Sequence, residues 1–84
     1  MYYTYVLQSL KDEGFYVGFT QDLKLRFEQH KKGQVDSTRG RRPFELIYYE
    51  ACQNQADAIK REKYLKSYHG KMYLRKMLKS YLTG

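Results

Sequence analysis

The stretch "YYTYVLQSLKDEGFYVGF", residues 2–19, contains two strand-like runs joined by a turn. Residues 2–8 are mostly aromatic and β-branched, and residues 15–19 form a second aromatic run. The residues "KDEG" between them have the composition of a tight turn, so the stretch predicts a β-hairpin. Side chains alternate between the two faces of a strand. In a register that aligns them, one face of the hairpin carries Tyr3, Tyr5, Leu7, Tyr16 and Gly18.

The next stretch, "TQDLKLRFEQH" at residues 20–30, predicts a helix that turns polar side chains inward. At about 100° per residue, Leu23 and Phe27 lie one turn apart on the face expected to be buried. Arg26 and His30 fall on the same arc, whereas Leu25 points away from it. The sequence therefore predicts that a guanidinium and an imidazole face the interior. Such groups need partners or solvent there.

The remaining residues supply a third strand and two further helices. "FELIYYE" at 44–50 predicts the strand, and "NQADAIKREKYLKSYHG" at 54–70 predicts a helix capped by Asn54 and stopped by Gly70. "KMYLRKMLKSYL" at 71–82 predicts a third helix that packs on the sheet. Its apolar positions at helical spacing are Leu74, Met77, Leu78 and Tyr81.

The first helix has its own boundary signals. Thr20 is predicted to cap it, Asp22 to lie in its first turn, and Gly33 to end it. The resulting order β-β-α-β-α-α predicts an α+β fold, with a small, three-stranded, largely antiparallel sheet flanked by three helices. Residues 1–84 are expected to form a single domain.

Like the first predicted helix, the second carries a polar side chain on the face that is expected to be buried. Ala58 and Leu65 mark its buried stripe, with Ile59 near the edge, and Glu62 falls inside that stripe. A buried unpaired charge costs several kcal/mol, so Glu62 implies a cation or a wet cleft. Arg26, His30 and Glu62 are therefore predicted to share a pocket.

Each of these residues also has a simpler interpretation. Arg26 and Glu62 could form an interhelical ion pair, or Glu62 could pair with Lys66 one turn later. As a cation, His30 could stabilise the end of its own helix. Only the convergence of these side chains with the strand tyrosines favours a functional site over these alternatives.

The composition indicates an anionic partner. The chain has 84 residues with 16 Lys and Arg against nine Asp and Glu, giving a net charge of +7. That charge favours nucleic acid, although a basic ribosomal or membrane-surface protein would share it. Cys52 is the only cysteine, and neither an export leader nor an 18-residue apolar run is evident. The sequence therefore predicts a soluble protein of the cytoplasm without a membrane partner.

These motifs give the chain a resemblance to the GIY-YIG nuclease domain, from Tyr2 through the second helix. It looks most like the small stand-alone UPF0213-type proteins related to the N-terminal nuclease domain of the excinuclease subunit UvrC. "YTY" at 3–5 and "YVG" at 16–18 stand where the family has its two triplets. "TQDLKLRFEQH" matches the family's helix, followed by "TRGRRP" at 38–43 and "AIKREKYLK" at 58–66.

The resemblance implies a role for each candidate. Tyr5 and Tyr16 are expected to be active-site phenols, and Arg26 the cation that faces the phosphate. His30 is expected to handle or orient a proton, and Glu62 to bind the metal. The first triplet departs from the pattern, with Tyr3 and Thr4 in place of glycine and isoleucine. The asparagine that some members carry near the C-terminus is also missing.

The residues themselves limit the chemistry. A single inward carboxylate suits one divalent cation, Mg²⁺ or Mn²⁺, that keeps several waters. Phosphodiester hydrolysis also needs a base and a cation at the phosphate. Tyr5, hydrogen-bonded to His30, is the preferred base, Tyr16 positions water or phosphate, and Arg26 clamps an oxygen bidentately. Sequence-independent contacts to the nucleic-acid backbone are expected from Lys31, Lys32, Arg39, Arg41, Arg42, Lys60 and Lys63.

Three functions follow in order of preference. The first is a metal-dependent endonuclease that hydrolyses DNA phosphodiester bonds in repair or in processing damaged or branched DNA, with RNA left open as a substrate. The second is a catalytically inactive nucleic-acid-binding module on the same scaffold. The third is a basic protein-interaction domain. The small size leaves open a homodimer or a larger repair complex.

Overall fold

A computed structural model describes all residues, 1–84, and it confirms the predicted α+β class. The strands are β1 (Tyr2–Ser9), β2 (Phe15–Thr20) and β3 (Phe44–Cys52). The helices are α1 (Leu23–Lys31), α2 (Gln55–Lys66), α3 (Tyr68–Met77) and α4 (Lys79–Thr83), with a 3₁₀ turn at Arg39–Arg41. The sheet has the order β2-β1-β3, and both pairs are antiparallel. No helix has both the length and the apolar character needed to cross a membrane.

The hairpin has the register that gathers the tyrosines. Tyr5 pairs with Gly18 and Leu7 pairs with Tyr16, so the predicted face is confirmed. Tyr5, Leu7 and Phe44 form a small core on this side, against which Leu23 and Phe27 of α1 pack. The α1 helix therefore covers the tyrosine face of the sheet.

The other face of the sheet holds the larger core. Val6, Phe15 and Val17 from the strands pack against Leu65 of α2 and Leu74 of α3. The buried Thr4 hydroxyl also donates to the Ala58 carbonyl at 2.9 Å, which fixes α2 on the central strand. Leu78 and Leu82 complete this side. Met77 and Tyr81, predicted to pack on the sheet, remain 39% and 46% exposed.

Three predicted helix boundaries are wrong. Asp22, not Thr20, caps α1, because its carboxylate accepts from the Leu25 amide at 3.0 Å. The α2 helix ends at Lys66, before the predicted stop at Gly70. The predicted third helix is divided between α3, which begins before residue 71, and the short α4.

Gly70 lies inside α3 for a steric reason. A Cβ atom at this position would lie 1.9 Å from the Tyr64 carbonyl oxygen. The glycine therefore allows the start of α3 to pass close to the end of α2. Ser67 caps α3 by accepting a hydrogen bond from the Gly70 amide at 3.1 Å. The residue that looks like a helix stop in the sequence is a close-approach residue in the fold.

Candidate active site

A hydrogen-bonded chain links Tyr5, His30 and Thr38 below the tyrosine face. The Tyr5 hydroxyl lies 2.8 Å from His30 Nε2, as predicted, and His30 Nδ1 lies 2.8 Å from Thr38 Oγ1. Thr38 donates its single proton to the Val35 carbonyl at 3.4 Å. His30 Nδ1–H therefore donates to Thr38, and Nε2 accepts from Tyr5. The chain fixes both the tautomer and the orientation of the imidazole.

His30 is a neutral, buried group. Its side chain is completely shielded from solvent. Burial, with a smaller contribution from the charge of Arg26, lowers the pKa of His30 from 6.5 to about 4. At neutral pH the ring is therefore uncharged. The alternative interpretation of His30 as a cation at the end of its helix is wrong.

Tyr5 is also buried, at 1% exposure. Burial raises its pKa to about 12, and the nearby charges of Tyr16 and Glu62 add to that rise. The guanidinium of Arg26 acts in the opposite direction, by hydrogen bonding and by its charge. Three other candidates, Tyr16, Arg26 and Glu62, therefore contribute to the pKa of Tyr5. It stays protonated in the free protein.

Gly18 makes room for the Tyr5 ring. A Cβ atom on Gly18 would lie 2.4 Å from both Cζ and Oη of Tyr5. Because Gly18 is the cross-strand partner of Tyr5, the phenol leans over the glycine backbone. The third residue of the "YVG" motif is therefore glycine for packing reasons.

Tyr16 stands beside this buried chain but reaches solvent. Its ring centroid lies 6.4 Å from that of Tyr5 and 5.1 Å from that of His30. Unlike Tyr5, it is partly exposed. The two phenols predicted to act together are therefore adjacent, and they differ in their access to water.

Arg26 has no carboxylate partner. It donates to Gln29 Oε1 at 3.2 Å, and the predicted alternative of an Arg26–Glu62 ion pair is absent. Its side chain is partly exposed. A guanidinium carries five N–H donors in a planar fork, so most of them remain available to an oxyanion.

Glu62 lies on α2, and 19% of its side chain is exposed. Its carboxylate pairs with Lys66 at 3.0 Å, so the predicted i,i+4 alternative is present as a contact. Its charge makes a small contribution to the raised pKa of Tyr5. No cluster of three or more His, Cys, Asp or Glu side chains is available for a metal. One carboxylate of this kind fits a hard cation that retains most of its waters.

The predicted nucleic-acid contacts are mostly accessible, with one exception. Arg41 donates from Nε to Asp12 Oδ2 at 2.9 Å and from Nη2 to Oδ1 at 3.2 Å. It also lies over the Phe44 ring. We therefore assign Arg41 to the internal structure of the loop, not to DNA contact. The exposed members of the predicted set are Lys31, Lys32, Arg39, Arg42, Lys60 and Lys63.

The sequence model of the GIY-YIG catalytic domain matches residues 1–76. The chain belongs to the GIY-YIG family. Members of this family are nucleases that act on nucleic acid and generally use divalent metal ions. The matched range of this GIY-YIG chain contains all five candidate residues and ends before α4.

Similar proteins support the same assignment. The GIY-YIG chain is 42% identical over 67 residues to a UPF0213 protein of Clostridium perfringens, covering 79% of this chain and 71% of that one. It is 33% identical over 75 residues to a UPF0213 protein of Staphylococcus aureus, covering 88% and 90%. The solution NMR structure of a UPF0213 protein from Bacillus halodurans is similar, with a TM-score of 0.57 and 33% identity. That match covers 92% of this chain and 85% of the other.

The roles of two residues, Thr38 and Asp12, are not predicted by any local pattern in the sequence. Thr38 stands in a polar, basic loop where nothing marks it as the partner of a buried histidine. Asp12 in the hairpin turn looks like an ordinary turn residue, although it holds Arg41. Thr38 contacts His30 of α1 from the following loop, and Asp12 contacts Arg41 from a different turn, so local periodicity does not reveal either contact.

Proposed function

We propose that this protein is a metal-dependent endonuclease that hydrolyses DNA phosphodiester bonds. The observation that carries the proposal is the grouping of Tyr5, Tyr16 and His30, with ring centroids 5.1 to 6.4 Å apart. The charges of Arg26 and Glu62 both act on this group. Together with Arg26 and Glu62, this group offers a proton acceptor, a cation for the phosphate and a metal ligand, which are roles that phosphodiester hydrolysis uses.

The two phenols have different roles in this proposal. The burial of Tyr5 and its pKa of about 12 make it a poor base at neutral pH, which reverses the preference drawn from the sequence. Tyr16 reaches solvent and gives its phenolic proton to bulk water, so that its phenolate oxygen orients the attacking water and accepts one proton from it as the phosphate is attacked. Tyr5 is a positioning residue, held by His30 and placed over Gly18.

In this proposal, Arg26 and Glu62 serve to neutralise the negative charge of the phosphate. Arg26 binds a non-bridging phosphate oxygen through the N–H groups that Gln29 does not use. Glu62 would hold one Mg²⁺ or Mn²⁺, after exchanging its contact with Lys66. When bound, such an ion supplies Lewis-acid neutralisation of charge at the phosphate.

The cellular role is inferred from the basic surface and from the free thiol of Cys52. Nothing in the basic surface resembles an element that reads base edges, so we propose selection by DNA shape, as in repair or in processing damaged or branched DNA. The free thiol of Cys52 fits a reducing compartment, and we propose that the protein acts in the cytoplasm.

The test is a cleavage assay on nicked, flapped and supercoiled DNA with Mg²⁺ or Mn²⁺. Wild type should cut at least one substrate. Glu62→Gln, Tyr16→Phe and Arg26→Lys should each lose at least tenfold in rate, because they remove the proposed metal ligand, the proposed base and the bidentate phosphate contact, respectively. Lys63→Gln, one position from Glu62, removes an exposed charge and serves as the local control.

Two outcomes separate chemistry from binding. Both variants are compared with wild type at saturating DNA. If Lys63→Gln binds DNA more weakly but cuts at the wild-type rate there, and Glu62→Gln still cuts slowly, the loss in Glu62→Gln lies in the chemical step. If Glu62→Gln cuts as fast as wild type, the proposal is wrong. Folding of each variant is checked by its amide NMR spectrum, so an unfolded variant is not scored.

A non-catalytic nucleic-acid-binding module is the second candidate. The observation that favours it is the single carboxylate near the tyrosines, already paired with Lys66, and the lack of any three-ligand cluster. This alternative predicts salt-dependent DNA binding with no cleavage in either metal, and identical affinity in wild type and Glu62→Gln.

A further inference from the structure

A basic cavity lies next to the candidate active site. It has a volume of about 560 Å³ and is bounded by four cations and no acid. The cations come from three separate segments: the hairpin turn, the end of α1 and the loop before β3. The lining residues are Lys11, Lys31, Arg39, Gly40, Arg42, Pro43 and Phe44.

Two of the four cations have no carboxylate partner. Lys11 Nζ donates to the Gly40 carbonyl at 3.0 Å, and Arg42 Nε donates to the Arg39 carbonyl at 3.0 Å. A lysine has three donors and an arginine five, so both side chains keep unused N–H groups. The other two cations are paired at the surface, Arg39 with Asp36 and Lys31 with Glu28.

The cavity is held in shape by contacts between the hairpin turn and the loop. Asp12 pairs with Arg41, and the Ser9 hydroxyl donates to the Arg41 carbonyl at 2.6 Å. Ser9 also accepts from the Lys11 amide at 3.1 Å. Lys11 and Arg42 therefore line the same cavity, although they are far apart in the sequence. The two free cations are thus preorganised.

Phe44 separates the cavity from the buried histidine. Its ring lines the cavity, and its centroid lies 6.2 Å from that of His30. A nucleic-acid strand rises about 3.4 Å per nucleotide. The Tyr16 ring centroid lies 5.1 Å from the same histidine ring, so the Tyr16 and Phe44 rings are at most about 11 Å apart, and a strand that crosses Tyr16 would reach the cavity within a few nucleotides.

We propose that this cavity is a second phosphate site, in which Lys11 and Arg42 bind a backbone phosphate of the DNA a few nucleotides from the one that is cut. The inference rests on the proposed nucleic-acid function. Its new element is Lys11, which brings the β1–β2 turn into the substrate surface. The site would fix the position of the strand without reading its sequence.

The test measures binding alone, with a fluorescein-labelled DNA duplex in EDTA, so that hydrolysis does not enter. Lys11→Gln and Arg42→Gln should each weaken binding about 3- to 10-fold at about 100 mM salt. Each should also lower the slope of log K against log salt by about 0.9, the value for one duplex phosphate contact. Lys11→Arg should restore both. Lys79→Gln, an equal charge change on α4, should leave the slope unchanged.

The outcomes distinguish this inference from the nuclease proposal. If wild type cuts DNA but Lys11→Gln and Arg42→Gln bind with the wild-type slope, the second phosphate site is refuted and the nuclease stands. If wild type never cuts but the two variants lose the predicted slope, the cavity stands as a binding site and the nuclease proposal fails. A slope change in Lys79→Gln equal to that in Lys11→Gln also refutes the site.

Discussion

The buried neutral His30 makes the stability of this protein sensitive to mild acid. Its pKa is lowered from 6.5 to about 4 in the folded state. As pH falls below 6.5, the unfolded chain binds a proton that the folded chain does not, so the free energy of unfolding decreases. Each pH unit in this window costs about 1.4 kcal/mol. Because the unfolded histidine is only half protonated at pH 6.5 and the full slope is reached below it, His30 alone should cost about 2 kcal/mol between pH 7.5 and pH 5.

The assay is urea unfolding at pH 7.5 and pH 5, followed by circular dichroism. Restricting the range to pH 5 and above keeps Asp12 out of the result, since its carboxyl is ionised there both in the unfolded chain, at a pKa of 3.8, and in the folded chain, where the Arg41 hydrogen bond lowers its pKa to about 2. His30→Gln has no imidazole to titrate, so its unfolding free energy should lose most of this pH dependence. His69→Gln, which removes the exposed second histidine, should behave like wild type. Equal pH dependence in wild type and His30→Gln would show that His30 is not the source of the acid sensitivity.

Three further substitutions test the packing around the site. Gly18→Ala should destabilise the fold by about 1–3 kcal/mol and lower cleavage, because its Cβ lies 2.4 Å from Tyr5 Oη; thermal unfolding and the cleavage assay measure this. Gly70→Ala should destabilise more than Gly40→Ala, because the first meets the Tyr64 carbonyl and the second meets nothing within 4 Å; similar melting temperatures would contradict this. Arg41→Gln should raise the pKa of Asp12 and speed amide exchange at residues 10–13, both measurable by NMR.

Local periodicity in the sequence predicts the core of the site. Strand alternation places Tyr5 and Tyr16 on one face, and the observed register pairs them with Gly18 and Leu7. Helical spacing predicts that His30 turns inward, and that Leu25 turns outward, where it is 55% exposed. These predictions succeed because each depends on one element and on the burial of its apolar side chains.

The features that local pattern does not predict depend on contacts between elements. Gly70 has the sequence signature of a helix stop, yet its position is set by the crossing of α2 and α3. The pairing of Asp12 with Arg41 joins two loops 29 positions apart. The register shift between Val6 and Leu7 in the β1–β3 pair also has no local signal. Each is a property of tertiary packing, which overrides local preference.

We propose that Glu62 and the strand tyrosines form one metal-dependent site. The most direct measurement is a Mn²⁺ titration of the ¹⁵N-labelled protein, because this paramagnetic ion broadens the resonances of nearby amides. Wild type should lose the signals of Tyr16, Gly18, Arg26 and Glu62 first, and Glu62→Gln should keep them at the same Mn²⁺ concentration. Broadening that begins elsewhere, or that is unchanged in Glu62→Gln, would contradict the claim.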